Sequence, residues 1–376
     1  MKFIADKNEL VSALTIVSRV IGKSVIPIVE MVKLSIDNDR LTLTGSNMEA
    51  FISHGMDIKG GNFKRDIALQ GANLINLLKA LPDVPVNFHL EESKTHNEVA
   101  YKLLIEAGRG KYDIPVMNAE VYPSLKESEE KQAFTLDSEI LLNGISKTAF
   151  ACSDDELKPA LTGVYTVISK GNISYVATNG HLLCISTTPA PLELDTELII
   201  PKRTMSLLAS LPVDESIQIS IQQENITFVV NDDTVVKSRL IDAKYIAYQQ
   251  VVPQDNDYVL RANKSELMAS LKRVNQFTNK ANNLVVLQAD QNQLTLHSSD
   301  DIKGKSTEII PCDYTHNAIR IGFSSDYLID IISRIESEEI KVLLKDPKRP
   351  GLFMSSDIAD GDYRNMMLIA PYYIEE

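Results

Sequence analysis

His181 is the side chain best placed by its neighbours to do chemistry. In VATNGHLLCIS, residues 176–186, it follows Asn179-Gly180 directly and precedes Cys184 by three positions. A general base at that point needs a nucleophile or carboxylate within hydrogen-bond reach, and a metal ligand needs several companions. The chain contains no G-x-S-x-G, H-E-x-x-H, P-loop or G-x-G-x-x-G. Its six histidines, His54, His89, His96, His181, His297 and His316, keep no ligand spacing. The acid pairs Asp154-Asp155 and Asp300-Asp301 stand without a basic partner or metal motif and read as loop charges. Cys152, Cys184 and Cys312 form no C-x-x-C pair and sit among apolar residues, as buried, inert thiols do. Neither a metal nor a cofactor is expected, and Asn179-Gly180 reads as a hairpin turn requiring positive φ.

The elements that carry these residues belong to a chain of 376 residues, long enough for two or three domains. No apolar run approaches the roughly 20 residues of a membrane helix, and no secretory h-region is visible near Met1, so a cytoplasmic protein is expected. The net charge of −13 argues against ordinary nucleic-acid binding, although an average can conceal a local basic stripe.

Self-similarity supplies the organisation. A helix-then-strand phrase occurs at 66–91, 198–222 and 319–345, and a second phrase precedes each copy, starting at Phe3, Phe134 and Leu260. In the second phrase Asp6, Asp137 and Asn263 stand as N-caps, four residues before the apolar stripes Leu10/Leu14/Val17, Leu141/Ile145 and Leu267/Leu271/Val274. Between the helices lie hairpins with turns at Asp37-Asn38-Asp39, Lys170-Gly171-Asn172 and Asp290-Gln291-Asn292. VATNGHLL is thus the middle copy of TLTGSNMEA. The spacing predicts three α+β domains, 1–128, 129–254 and 255–376, each with two helices on antiparallel sheets. Such a chain of equivalent units can close into a ring, alone or as a dimer.

The six predicted helices carry ten bases against five acids, unlike the acidic chain around them. If they lined one side of a ring, its inside would be basic and would suit a polyanion held without a sequence code. The residues alone leave two other readings: a repeat-built scaffold that never touches DNA, and a hydrolase using His181.

From end to end the chain resembles the β sliding clamps of bacterial DNA polymerase III. The resemblance rests on MKF at the start, IPIVEMVKLSI (26–36), LTLTGSNMEA (41–50), VATNGHLL (176–183), IIPKRTMSLLASL (199–211), SRLIDAKYIAYQQVVP (238–253), IGFSSDYLIDIISRI (321–335) and LIAPYYI (368–374). It implies three repeated DNA-clamp domains in a head-to-tail homodimeric ring around duplex DNA, helices inside. It also implies a non-enzymatic processivity factor that tethers the replicative polymerase catalytic subunit and works with a separate clamp loader. Short hydrophobic peptides from polymerases, loader and repair factors would dock between the second and third domains. By position that pocket is Leu161, Thr178, Asn179, Gly180, His181, Leu182, Leu183, Ile246, Gln250, Val251, Leu368, Ile369, Ala370, Pro371, Tyr372 and Tyr373. The family often has Asp, Arg, Pro, Arg and Met where this chain has Asn179, Leu182, Ile246, Gln250 and Ala370. Tyr112, Ile114 and Phe277 match dimer-interface positions. The bases expected to face DNA are Lys23, Lys158 and Lys280 in loops and Lys79, Lys147, Lys202, Arg203, Lys272 and Arg273 near the helices.

Overall fold

The computed structural model describes residues 2–61, 65–95, 98–125, 130–359 and 361–374. Three times over, the chain lays down a strand, a helix, four strands, a helix and three strands. The first run is β1 (Lys2–Ala5), α1 (Lys7–Ser18), β2 (Val32–Asp37), β3 (Arg40–Ser46), β4 (Ala50–Asp57), β5 (Ile67–Leu69), α2 (Gly71–Ala80), β6 (Val86–Thr95), β7 (Glu98–Ala107) and β8 (Gly110–Asn118). The second is β9 (Glu130–Asp137), α3 (Ser138–Thr148), β10 (Gly163–Ser169), β11 (Asn172–Thr178), β12 (Leu182–Pro189), β13 (Thr196–Pro201), α4 (Lys202–Ser210), β14 (Ser216–Gln222), β15 (Asn225–Val229) and β16 (Thr234–Arg239). The third is β17 (Tyr258–Asn263), α5 (Lys264–Val274), β18 (Leu284–Asp290), β19 (Gln293–Asp300), β20 (Gly304–Pro311), β21 (Ile319–Ser324), α6 (Ser325–Arg334), β22 (Glu339–Leu344), β23 (Gly351–Ser355) and β24 (Asn365–Ile369).

Local chemistry accounts for these elements. Asp6 accepts from Asn8 N and Glu9 N at 2.8 and 3.0 Å, Asp137 from Glu139 N at 2.8 Å and Asn263 from Glu266 N at 3.0 Å, so each predicted cap satisfies free helix N–H groups. All eight predicted stripe residues are buried. The hairpin turns close as Asn38-Asp39, Lys170-Gly171 and Gln291-Asn292, with positive φ at Asn38, Lys170, Gly171, Gln291 and Asn292. Gly144 of α3 is required by packing: a Cβ there would lie 2.1 Å from the Tyr175 ring of β11.

By density of internal contacts the chain falls into two compact units, Met1–Leu141 with Ser206–Leu240, and Leu142–Met205 with Ile241–Glu376. The middle repeat contributes to both, and the boundary expected at 128/129 lies outside the described residues. The first unit holds a twelve-stranded sheet in the order β1-β6-β7-β8-β5-β2-β3-β4-β16-β15-β14-β9. The second holds an eight-stranded sheet, β13-β10-β11-β12-β24-β23-β22-β17, and a four-stranded one, β20-β19-β18-β21. Where one repeat meets the next, the sheet runs on: β4 pairs antiparallel with β16 from Ala50↔Ser238 to His54↔Thr234, and β12 with β24 from Leu182↔Ile369 to Ser186↔Asn365. The third counterpart of β4 and β12, strand β20, ends its sheet as an edge. No helix among the described residues is long and apolar enough to cross a membrane.

Candidate functional site

The turn between β11 and β12 is built by one side chain. Asn179 Oδ1 accepts from His181 N and from Leu182 N, both at 2.9 Å, and Asn179 N donates to Leu182 O at 3.2 Å. Thr178 Oγ1 accepts from Gly180 N at 3.1 Å, and Gly180 takes φ +94°, which glycine adopts without steric cost. Asn179 Nδ2 reaches out of the turn to the Tyr327 hydroxyl of α6 at 3.1 Å. This leaves His181 exposed at the rim, its backbone oxygen accepting from Ala370 N at 2.8 Å. Among the described residues no group of three His, Cys, Asp or Glu is gathered for a metal; His96 lies outside them.

Beneath the turn lies an apolar floor. Val176, Leu183, Ile185, Ile199, Tyr245, Val252, Leu352, Met366 and Leu368 form one buried cluster, with Leu161, Tyr165, Ile241 and Tyr248 packed against it. Ile246 and Val251 stay about half exposed beside it, and Gln250 is exposed. The C-terminal segment forms the other wall: Tyr372 N donates to Gly322 O at 2.8 Å, Ala370, Pro371 and Tyr372 are partly buried, and Tyr373 is 81% exposed. The half-exposed Ile246 and Val251 and the exposed Tyr373, flanking this floor, can bind apolar side chains of an extended peptide.

Two of the expected pocket residues face elsewhere. Strand side chains alternate between faces, and Leu183 and Leu368 belong to the floor, so Leu182 (1% exposed) and Ile369 (0%) point to the opposite face. They hold the seam and offer no surface there. Sequence reading also missed an aromatic post: Tyr165 and Tyr245 stack at 4.6 Å between centroids, with Tyr248 edge-on to Tyr165 at 6.3 Å. The Tyr245 hydroxyl donates to Val176 O at 3.4 Å, and burial pushes its pKa up. The alternation of VYTVIS and the twin tyrosines of AKYIAY were the available signals. The thiols are quiet: burial raises Cys152 to about 12 and Cys312 to about 11.

The expected DNA-facing bases divide into two sets. Lys147 pairs with Glu336 at 3.0 Å, Lys158 with Asp155 at 3.8 Å, Lys202 with Asp154 at 2.7 Å, and Arg273 with Glu308 through bonds of 2.9 and 2.6 Å. Lys23, Lys79, Arg203, Lys272 and Lys280 are exposed. Tyr112 and Ile114 lie on β8, whose flank away from β7 pairs with β5, among the described residues, at Met117 and Asn118 alone. Phe277, half-buried, closes the short 3-10 turn after α5, which packs beside β20.

Comparison with known proteins is consistent along the whole chain. Three domain families match in order, all of the DNA polymerase III beta subunit: its N-terminal domain at residues 1–126, its central domain at 135–246 and its C-terminal domain at 249–368. Among curated relatives, the beta sliding clamp of Streptococcus pneumoniae strain R6 is 28% identical over 384 residues, covering 98% of each chain. That of Pseudomonas putida is 24% identical over 369 residues, covering 96% of this chain and 98% of the relative. Among solved structures, the Pseudomonas aeruginosa sliding clamp with ligand superposes with a TM-score of 0.90 at 23% identity over the full length of both. The beta chain of Streptococcus pneumoniae TIGR4 gives 0.89 at 26%, over 99% of this chain and 100% of that one.

Proposed function

The chain belongs to the DNA polymerase III beta-subunit family, and on that premise we propose that two copies close head to tail into a ring around duplex DNA. It is a sliding clamp, a processivity factor for a DNA polymerase. Its work is topological: a closed ring cannot leave DNA sideways, so a polymerase held by the ring stays on its template. The reading is of a non-catalytic accessory subunit acting on DNA in the cytoplasm, with three clamp domains near 1–128, 129–254 and 255–376. The surface around His181, Leu161, Leu183, Val251 and Pro371–Tyr373 would hold short apolar segments of polymerase, loader and repair partners.

One observation carries the ring. At both seams between repeats, the strand after the capped turn joins the last strand of the next repeat. Strand β20 should therefore join β8 of a second copy, and the repeat fixes the register. Thr44↔Ser53, Val176↔Ile185 and His297↔Thr307 are corresponding pairs on one side. Ala68↔Met117, the Ile241 N to Ile199 O bond and Gly322↔Tyr372 correspond on the other. Since Ala50 meets Ser238 and Leu182 meets Ile369, Gly304 should meet the partner copy at its position 114, and the opposite charges of Lys305 and Asp113 should face each other. Two open edges of complementary register are satisfied when two chains pair twice. The exposed bases Lys79, Arg203 and Lys272 support a basic lining that neutralises phosphates without reading sequence.

The test is retention on DNA. Loaded onto a nicked circle, the ring should survive a rise from 50 to 200 mM salt that costs a surface binder with 6 to 10 phosphate contacts roughly 10³ to 10⁵ in affinity. It should then depart when the circle is linearised. Loss from intact circles as fast as from linear DNA would refute the reading.

A further inference from the structure

We propose that the first repeat carries a second docking groove for short apolar peptides, one selecting a basic flank. The proposal rests on the peptide-docking reading of the His181 surface, of which this groove is the counterpart.

Three sets of bonds match. Asn47 Oδ1 accepts from Glu49 N at 3.1 Å and Ala50 N at 2.8 Å, as Asn179 does from His181 N and Leu182 N. Arg239 N donates to Glu49 O at 2.9 Å, as Ala370 N does to His181 O at 2.8 Å. The Tyr122 hydroxyl, which donates to Met31 O at 3.0 Å, also lies 3.3 Å from Thr44 O as a second acceptor, the place that Val176 O takes for Tyr245 at 3.4 Å. Below them Ile28, Val29, Ala68, Ala119 and Tyr122 form a separate buried cluster with Met31 packed on it. Turn, seam and aromatic post thus recur over an apolar floor.

What differs points to a ligand. Met48 occupies the place of Gly180 and keeps its left-handed backbone, φ +78° against +94°. A side chain there is strained, and such strain persists where the surroundings or a function demand it. The Met48 side chain is 41% exposed, and Val121, beside Tyr122, is 76% exposed. A flexible thioether at an open apolar rim suits binding to peptides of varied shape. The rim charge is inverted: exposed Glu49 and Glu120 stand where the other groove has His181 and Lys244. Arg239, exposed at the place of Ala370, leaves two acids to one base. The occupant is therefore an extended segment with apolar anchors flanked by lysine or arginine.

The test uses the full chain and two fluorescein-labelled octapeptides with the same Leu-Phe anchors, one flanked by lysines and one by aspartates. Removing a well-packed anchor contact should cost about tenfold in affinity. The lysine peptide should lose that in Met48→Gly and Val121→Asp, and be unmoved by Val251→Asp. Met48→Gly also relieves the φ strain, so a melting temperature equal to or above wild type excludes damage to the fold as the cause. A lysine peptide that ignores Met48→Gly and Val121→Asp, or that follows Val251→Asp, overturns the second groove and leaves the first intact. An aspartate peptide indifferent to Val251→Asp would instead refute docking at the His181 surface.

Discussion

Asn179 and Tyr327 are joined by a hydrogen bond of 3.1 Å from the side-chain amide of the β11–β12 turn to the hydroxyl on α6. The same side chain closes the turn through His181 N and Leu182 N, so one residue both shapes the groove rim and ties it to a helix.

Replacing Asn179 with alanine therefore removes three bonds at once, and a loss of about 1–2 kcal/mol is expected in chemical denaturation. Affinity for an apolar peptide should fall several-fold as the turn loosens. Asn179→Asp retains the oxygen that closes the turn and should lose less of both. Equal stability of all three proteins would show that the turn holds without its cap.

The C-terminal wall is held by Ala370 N donating to His181 O and Tyr372 N to Gly322 O, both at 2.8 Å. Truncation after Pro371 should weaken binding of a polymerase-derived apolar peptide and leave the sedimentation coefficient expected of the proposed dimer unchanged. Undiminished peptide affinity would move the groove elsewhere.

The register inferred for the β20 and β8 edges sets Ser306 against Tyr112 of a second copy. The double variant Ser306→Cys/Tyr112→Cys should give covalent dimers under mild oxidation, seen as doubled mass on non-reducing gels. Shifting one cysteine to Thr307 should reduce the yield sharply, because neighbouring strand residues point to opposite faces. Of the native thiols Cys152 and Cys184 are buried and Cys312 is partly exposed, so both variants are made in a Cys312→Ser background. Equal yields in both variants would dismiss the register.

His54 lies in the seam between β4 and β16, half-buried, with Nδ1 2.8 Å from Thr234 Oγ1. Burial, reinforced by Arg40 and partly opposed by Asp233, lowers its pKa below the ordinary histidine value. A depressed folded pKa means that the unfolded chain takes up the proton first. The stability involved is complete above the unfolded pKa, near 6.5, and is lost as pH falls through the folded value. The melting temperature should drop between pH 7 and 5, and His54→Gln should flatten that drop. An unchanged slope in the variant would assign the acid sensitivity to other groups.

Much of the fold was legible because its signals are local. Asp6, Asp137 and Asn263 cap the N–H groups two or three residues ahead of them, and Leu10, Leu14 and Val17 share a face through the 3.6-residue period. Gly180 announced a left-handed turn residue by its lack of a Cβ, whereas Met48 takes up the same backbone with nothing in its type to say so.

The candidate groove was legible in part. Leu161, Leu183 and Leu368 gather at one floor, but Leu182 and Ile369 turn away because alternation in a strand assigns neighbours to opposite faces. Likewise Lys147, Lys158, Lys202 and Arg273 are bases whose acid partners come from other segments or a turn away, and no composition count reveals that pairing.

The thrice-repeated order of elements, their caps, turns and apolar faces follow from residues within a few positions of one another. Which strand edges join, which aromatic rings stack over the floor and which edges stay open were settled by the folded chain. Those outcomes depend on backbone hydrogen bonds and packing between segments tens to hundreds of residues apart, such as Leu182 with Ile369 and Tyr165 with Tyr245.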